Sequence, residues 1–241
     1  SLPTTVWGSK VGFFFDFDPG QALDDEGLEA TIDTDQVNAV TAVMSGRDFQ
    51  CFTTGTEFTV PQLDGQPLTP TAFLFKPATR RGSATGIRPQ MTEGGALFVQ
   101  RGGKAIRELI FSDLEGSFVS NDISLLSSHL LQSPTRIAIR RGTNVDEGDL
   151  LLIRNGGTGG ISGSIAAFSI LRMQNVIAPA LWTTDGTFED IGVDDADTPV
   201  IYVVVKRTLP LQATCTITVS DAANIAVGST LTFSTNAGVS T

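Results

Sequence analysis

The chain has 241 residues, 17% of them charged and 41% hydrophobic, with 25 glycines and a formal net charge of −10. That length supports one large or two modest domains with a real core, and the glycine content suits a turn-rich all-β protein better than a helical one. The acidity argues against a DNA-gripping groove, which needs clustered Lys and Arg, and apolar runs such as residues 150–154 and 200–206 fall far short of the roughly 18 residues of a membrane helix.

The first stretch, SLPTTVWGSKVGFFFDFD, has no basic region ahead of its apolar part, so no secretory signal is expected there. Residues 13–33 read as two strand-like ends around an acidic loop marked by Pro19 and Gly20. Asp16, Asp18 and Gly20 form a D-x-D-x-G start that invites a calcium reading. Pro19 interrupts it and Asp24 and Asp25 fall at the wrong offsets, which favours a plain exposed acidic loop and no metal.

After Val37 the chain reads as strand and turn. Four cores stand out, each an apolar strand with a glycine or turn signal: DFQCFTTGTEFTV (48–60), ALFVQRGGKAIREL (96–109), LLLIRNGGTGGISGSIAAFSIL (150–171) and VIYVVVKRTL (200–209). Their first strands begin near Phe49, Leu97, Leu150 and Ile201, at spacings of about 48, 53 and 51 residues, the period of β-propeller blades. A blade has two apolar faces and needs neighbours on both sides. A β-sandwich also offers short strands, but gives no reason for even spacing.

Between these cores, residues 61–92 carry five prolines and suit an edge strand and a long surface connection. DISLLSSHLLQS (122–133) shows apolar residues near helical spacing behind Asn121 or Asp122 as a cap, which predicts a helix there. His129 lies in it without a nucleophile or carboxylate nearby in sequence, the pattern of a packed or surface residue. Residues 156–160, Gly-Gly-Thr-Gly-Gly, lack the Lys-Ser/Thr ending of a phosphate loop and read as a long, flexible hairpin tip. Trp7 and Trp182 at strand ends are expected to anchor blade packing.

Cys51 and Cys215 both sit in strand patterns and read as buried free thiols, and one histidine is too few for a zinc set. From about Leu211 the chain becomes nearly uncharged. Alternation across Thr214–Val219 and a second run, Ser229–Phe233, predict two strands, the start of a further small β module over residues 211–241.

Five segments together resemble a known family: TDQVNAVTAVMSGRDFQCFTTGTEFTV (34–60), PLTP (67–70), GGALFVQRGGKAIREL (94–109), NVIAPALWTTDGTFEDIGV (175–193) and VIYVVVKRT (200–208). In order and spacing, over residues 1 to about 209, they are similar to the tail nozzle, or tail tubular protein, of short-tailed bacteriophages. Members pair a "DQVNAI" strand with a "GTxGGEW" turn, an "LFVQRxGxKLRE" hairpin and a "TDGxFxSVAV…WVVVRR" ending. Here Gly55-Thr56-Glu57-Phe58 replaces the usual Gly-Gly-Glu-Trp and keeps an aromatic anchor. Residues after Leu211 are similar to a small β module often inserted in these proteins. Members are commonly longer on both sides of these 241 residues, so a longer chain is expected.

The resemblance implies an all-β fold with propeller blades over residues 1–210 and a structural role in the virion tail, with assembly in the host cytoplasm. It implies a homohexameric ring at the distal tail, an adaptor ring above it and fibres or spikes around it. Double-stranded DNA would pass through without tight binding, since an acidic or neutral wall does not hold phosphate. It implies no catalytic residue, cofactor, metal or membrane insertion, and assigns no residue to the channel wall. Arg80, Arg81, Arg140 and Arg141 are expected at subunit contacts or outside. The alternative is a carbohydrate-binding or carbohydrate-cleaving propeller, with Asp185 and Glu189 or Asp194 and Asp195 as candidate carboxylates.

Overall fold

The computed structural model describes residues 3–21, 23–34, 38–62, 68–143, 147–171, 174, 176–194 and 196–208. The chain divides into two compact units, Ser1–Arg207 and Thr208–Thr241. The strands expected at 214–219 and 229–233, and Cys215, lie outside the described residues.

The first unit is all β, with one turn of 3-10 helix among the described residues. A two-stranded sheet pairs β1 (Thr5–Gly8) with β2 (Leu28–Thr31). A four-stranded sheet follows, made of β3 (Val40–Ser45), β4 (Phe49–Thr53), β5 (Glu57–Val60) and β6 (Lys76–Thr79). The next comprises β7 (Gln90–Met91), β8 (Ala96–Val99), β9 (Ile106–Ser112) and β10 (Ser117–Asp122). The third four-stranded sheet holds β11 (Pro134–Arg140), β12 (Asp149–Asn155), β13 (Ile165–Leu171) and β14 (Val176–Trp182), and β15 (Thr187–Val193) pairs with β16 (Ile201–Lys206). Every four-stranded sheet is an antiparallel meander whose strands pair in chain order. The repeated cores coincide with β4–β5, β8–β9, β12–β13 and β16, so each starts on the second strand of its sheet.

The continuous apolar runs are explained by burial on both faces. Side chains alternate across a strand. Cys51 and Phe58 therefore face one apolar layer with Ile32, while Phe52 faces another with Ala96, Phe98 and Leu109. On β8, Leu97 and Val99 point the other way, into a layer with Ile137, Leu151, Ile153 and Phe168. On β12 and β13, Leu152, Ile165 and Ala167 turn to a fourth layer with Phe188 and Ile191. Five sheets thus stack face to face in series with an apolar layer at each junction, an arrangement distinct from a two-sheet sandwich.

Local chemistry sets the ends of the strands. Pro77 lies in β6, at the edge of its sheet, where a missing N–H costs no ladder bond. Gly82 has φ +70°, and a β-carbon there would stand 2.4 Å from the Thr54 carbonyl oxygen. Only glycine fits where this connection crosses the 54–56 turn.

Three expectations are corrected. The helix over 122–133 is absent: β10 runs through Asp122, and only Ser128–Leu130 form a 3-10 turn. Asp122 Oδ1 accepts from both the N–H and the hydroxyl of Ser124, and Ser124 Oγ in turn accepts from Ile106 N–H at 2.9 Å. Side chain–backbone bonding of this kind competes with a helix, and Leu125 and Leu126, which the helical pattern would bury, are exposed. Of the two strand-like ends read at 13–33, the second is β2, paired with β1, whereas the phenylalanine run at 13–17 lies in no sheet and its rings are exposed. Trp182 packs against the fourth apolar layer as expected, but Trp7 is 45% exposed and anchors none of the layers.

Candidate functional site

A cleft of about 810 Å³ lies beside the second sheet. One wall is the extended run from β2 through Thr34, where Ile32 N–H donates to Thr4 O at 2.9 Å. The other is Phe58, Phe73, Phe75 and Pro77. The rings stack edge to face, Phe73 on Phe75 at 5.1 Å and Phe58 on Phe75 at 6.1 Å, the favoured geometry of aromatic pairs. Arg80 and Arg101 complete the lining, and both are exposed without an ion pair among the described residues. Cleft volume and aromatic lining fall within the range of ligand sites.

The carboxylates that line this cleft are Glu29 and Asp33. Of the carboxylates expected from sequence, Asp185, Glu189 and Asp194 do not line the cleft. Glu189 accepts from the Arg154 guanidinium at 3.4 Å and from Thr187 Oγ1 at 2.8 Å, and Asp194 Oδ1 accepts from Ala196 N–H. Asp195 lies outside the described residues.

A carboxyl that sequence reasoning passed over is Glu57, fully buried next to the cleft-lining Thr56 and Phe58. Burial pushes its pKa above the ordinary value, against the opposing pull of the Thr79 hydroxyl and the Arg81 amide. Both donate to Oε2, at 2.6 and 3.1 Å. They tie β5 to the end of β6 and to the connection that follows it.

The D-x-D-x-G segment is closed on itself. Asp16 Oδ1 accepts from Asp18 N–H, Asp18 Oδ1 from Gly20 N–H, and the Lys10 ammonium lies 3.4 Å from Asp16 and 3.6 Å from Asp18. The lysine occupies the place a cation would take, and no group of three metal-ligating side chains occurs among the described residues. Partial desolvation opposes the charge of Lys10, but Asp16, Asp18 and Glu26 together outweigh it and raise its pKa.

The glycine-rich tip is also tied down. Gln132 Nε2 donates to the carbonyls of Gly156, Thr158 and Gly159, at 2.9 Å for Gly159, while its Oε1 accepts from Ile161 N–H at 3.1 Å. At Gly160, φ is +56° and a β-carbon would stand 2.5 Å from that same Oε1, so the glycines make room for the glutamine rather than for a phosphate. Cys51 is buried and free, and burial pushes its thiol up to about 12. His129 is exposed and makes no hydrogen bond among the described residues.

The antiparallel pairings assign every loop to one of two ends of the stack. Loop 9–27 and the turns 46–48, 92–95 and 113–116 share one end, where Arg47 pairs with Asp113 at 3.4 Å. The connections 80–89, 100–105, 123–133 and 156–164 share the other, where Arg101 N–H donates to Gly82 O and Phe188 N–H to Gly163 O, both at 2.8 Å. Charge follows this division. Arg80, Arg81, Arg88, Arg101, Lys104 and Arg207 are exposed at the second end with Asp33 and Asp185, whereas at the first the carboxylates, including Asp16, Asp18, Asp24, Asp25, Asp113 and Glu115, outnumber the cations. Arg140, at the acidic end, pairs with Glu147 at 2.6 Å, and Arg141 is exposed. No protein-family model matches the chain, and no curated protein matches it.

Proposed function

We propose that this chain is a structural subunit of the tail nozzle of a short-tailed phage, contributing propeller-like blades to a ring of copies through which double-stranded DNA leaves. The observation that carries the reading is the agreement of two periods. The four repeated cores begin on β4, β8, β12 and β16, about fifty residues apart, each the second strand of its own sheet, and the segments that resemble the nozzle motifs cover β3–β5, β8–β9, β14–β15 and β16. Four-stranded meanders buried on both faces are what a blade requires.

The net charge of −10 supports a conduit wall that repels phosphate instead of gripping it. The reading gives the chain a homohexameric ring, contact with an adaptor ring and with fibres or spikes, and no catalytic residue or cofactor. A carbohydrate-recognising propeller, the alternative reading, draws support from the aromatic cleft.

Electron microscopy of intact particles decorated with a gold-labelled antibody to this chain tests the proposal. Label at the distal end of the tail axis is expected, and label on the capsid or on lateral fibres overturns it. A sub-micromolar, steeply salt-dependent complex of the isolated protein with double-stranded DNA would remove the passive-conduit part.

A further inference from the structure

We infer that the cleft beside the second sheet is the seat of a third strand for the first sheet, and that an extended segment of another polypeptide, without net charge, fills it by pairing with the free edge of β2. This contact does not depend on the nozzle reading.

The first sheet is narrower than the face it covers. β1 and β2 stack on a sheet of four strands, with Val6 and Ile32 packed among Cys51, Phe58 and Phe75. Strands in a sheet lie about 4.8 Å apart, so two of them leave roughly 10 Å of a four-stranded face uncovered. The uncovered part is the cleft. Its floor is Phe58 of β5 with Phe75 and Pro77 at β6, and its side wall is the unbroken run from Leu28 to Thr34, whereas no residue of β1 lines it.

That side wall is a strand edge. Ile32 N–H donates to Thr4 O at 2.9 Å, and the backbone groups of successive residues in an antiparallel strand point to opposite sides. Those of Glu29 and Thr31 therefore turn away from β1, towards the cleft, and meet no partner among the described residues. An unpaired edge of this kind is a template for an added strand.

Floor and charge select the occupant. Alternate side chains of an added strand would point down onto the phenylalanine floor and the others out to solvent. The charged lining is balanced, Glu29 and Asp33 against Arg80 and Arg101, and none of the four forms an ion pair among the described residues. A nucleic acid or a strongly charged segment of either sign meets two like charges there, which a neutral segment avoids. Thr71 Oγ1 donates to Asp24 Oδ1 at 2.7 Å, tying the loop that leads into β2 to the segment that carries the floor. The two walls are thus held before anything binds, which lowers the ordering cost of binding.

The test is nuclear magnetic resonance on this chain, with a short capped peptide of alternating threonine and valine around one phenylalanine as the probe. In free protein the Glu29 and Thr31 amides should exchange at least about tenfold faster than that of Ile32, and saturating peptide should slow both by about tenfold or more. The same peptide with its amides N-methylated has no ladder donors and should bind at least about tenfold more weakly. Glu29→Pro removes one outward N–H and should weaken the peptide by about tenfold, whereas Glu29→Lys keeps that N–H and should bind within about threefold of wild type. If Glu29→Pro does not fold, the N-methylated peptide on wild type reads the same ladder. Peptides with two added lysines or two added aspartates should bind more weakly than the neutral one.

A neutral peptide that fails to bind at about 1 mM overturns the proposal. So does binding that leaves the Glu29 and Thr31 amides unprotected, or equal binding of the N-methylated form. Displacement of the peptide by maltotriose would make a carbohydrate the occupant instead. Off-axis label on particles would remove the nozzle reading while leaving this contact intact.

Discussion

Replacing Phe52 by Ala tests whether the sheets bind each other through their faces. The ring is fully buried in β4 and lies 5.3 Å from Phe98 of the next sheet, tilted by 52°. Removing a buried Phe side chain costs about 3–5 kcal/mol, the lost transfer energy plus the cavity left behind. For a folded unit of this size, 1 kcal/mol corresponds to about 2–4 °C, so the midpoint should fall by roughly 6–20 °C. Urea unfolding followed by circular dichroism measures the change, with Leu114→Ala, at a fully exposed turn position, as a control expected to stay within about 0.5 kcal/mol. A double-mutant cycle with Phe98→Ala should show coupling of about 0.5–1.5 kcal/mol from the aromatic pair. If Phe52→Ala costs less than about 1 kcal/mol, or the cycle shows no coupling, the junction between the second and third sheets does not exist as described.

Three further outcomes are expected. Gln132→Ala removes the bonds that hold the glycine tip, so amide exchange at Ile161 should quicken while the β12 core keeps its protection; unchanged exchange would refute the clamp. Glu57 has a folded pKa above its unfolded value, so the folded state holds a proton that the unfolded state has lost, and stability falls as pH rises above 4.5. Glu57→Gln should flatten that slope in urea titrations at several pH values, and an identical slope in the variant would acquit the group. Alkylation at about pH 8 followed by mass spectrometry should leave Cys51 unmodified in native protein and modify it in urea, since a buried thiol is neither charged nor reachable; native labelling would place it at the surface.

The sequence by itself determined the strand content and its period. The unbroken apolar runs of β8, β12 and β13 state that both faces are covered, and glycine and proline punctuation marks where strands stop. These signals are local, written in neighbouring side chains, and need no knowledge of partners. Which strands share a sheet, and which layer each alternate residue enters, followed only from packing: Leu97 and Phe98 look alike in sequence yet lie in different layers. The helix expected at 122–133 failed because Asp122 accepts from the N–H and hydroxyl of Ser124, and Ser124 Oγ accepts from the Ile106 N–H of β9, eighteen residues upstream. The phenylalanines at 13–17 read as a strand because apolar residues normally seek a core, and only the paired β1–β2 ladder leaves them outside. The split between an acidic and a basic end could not be read from a net charge, which sums over position. It arises because antiparallel meanders return the chain to the same two ends, gathering loops far apart in sequence onto one surface.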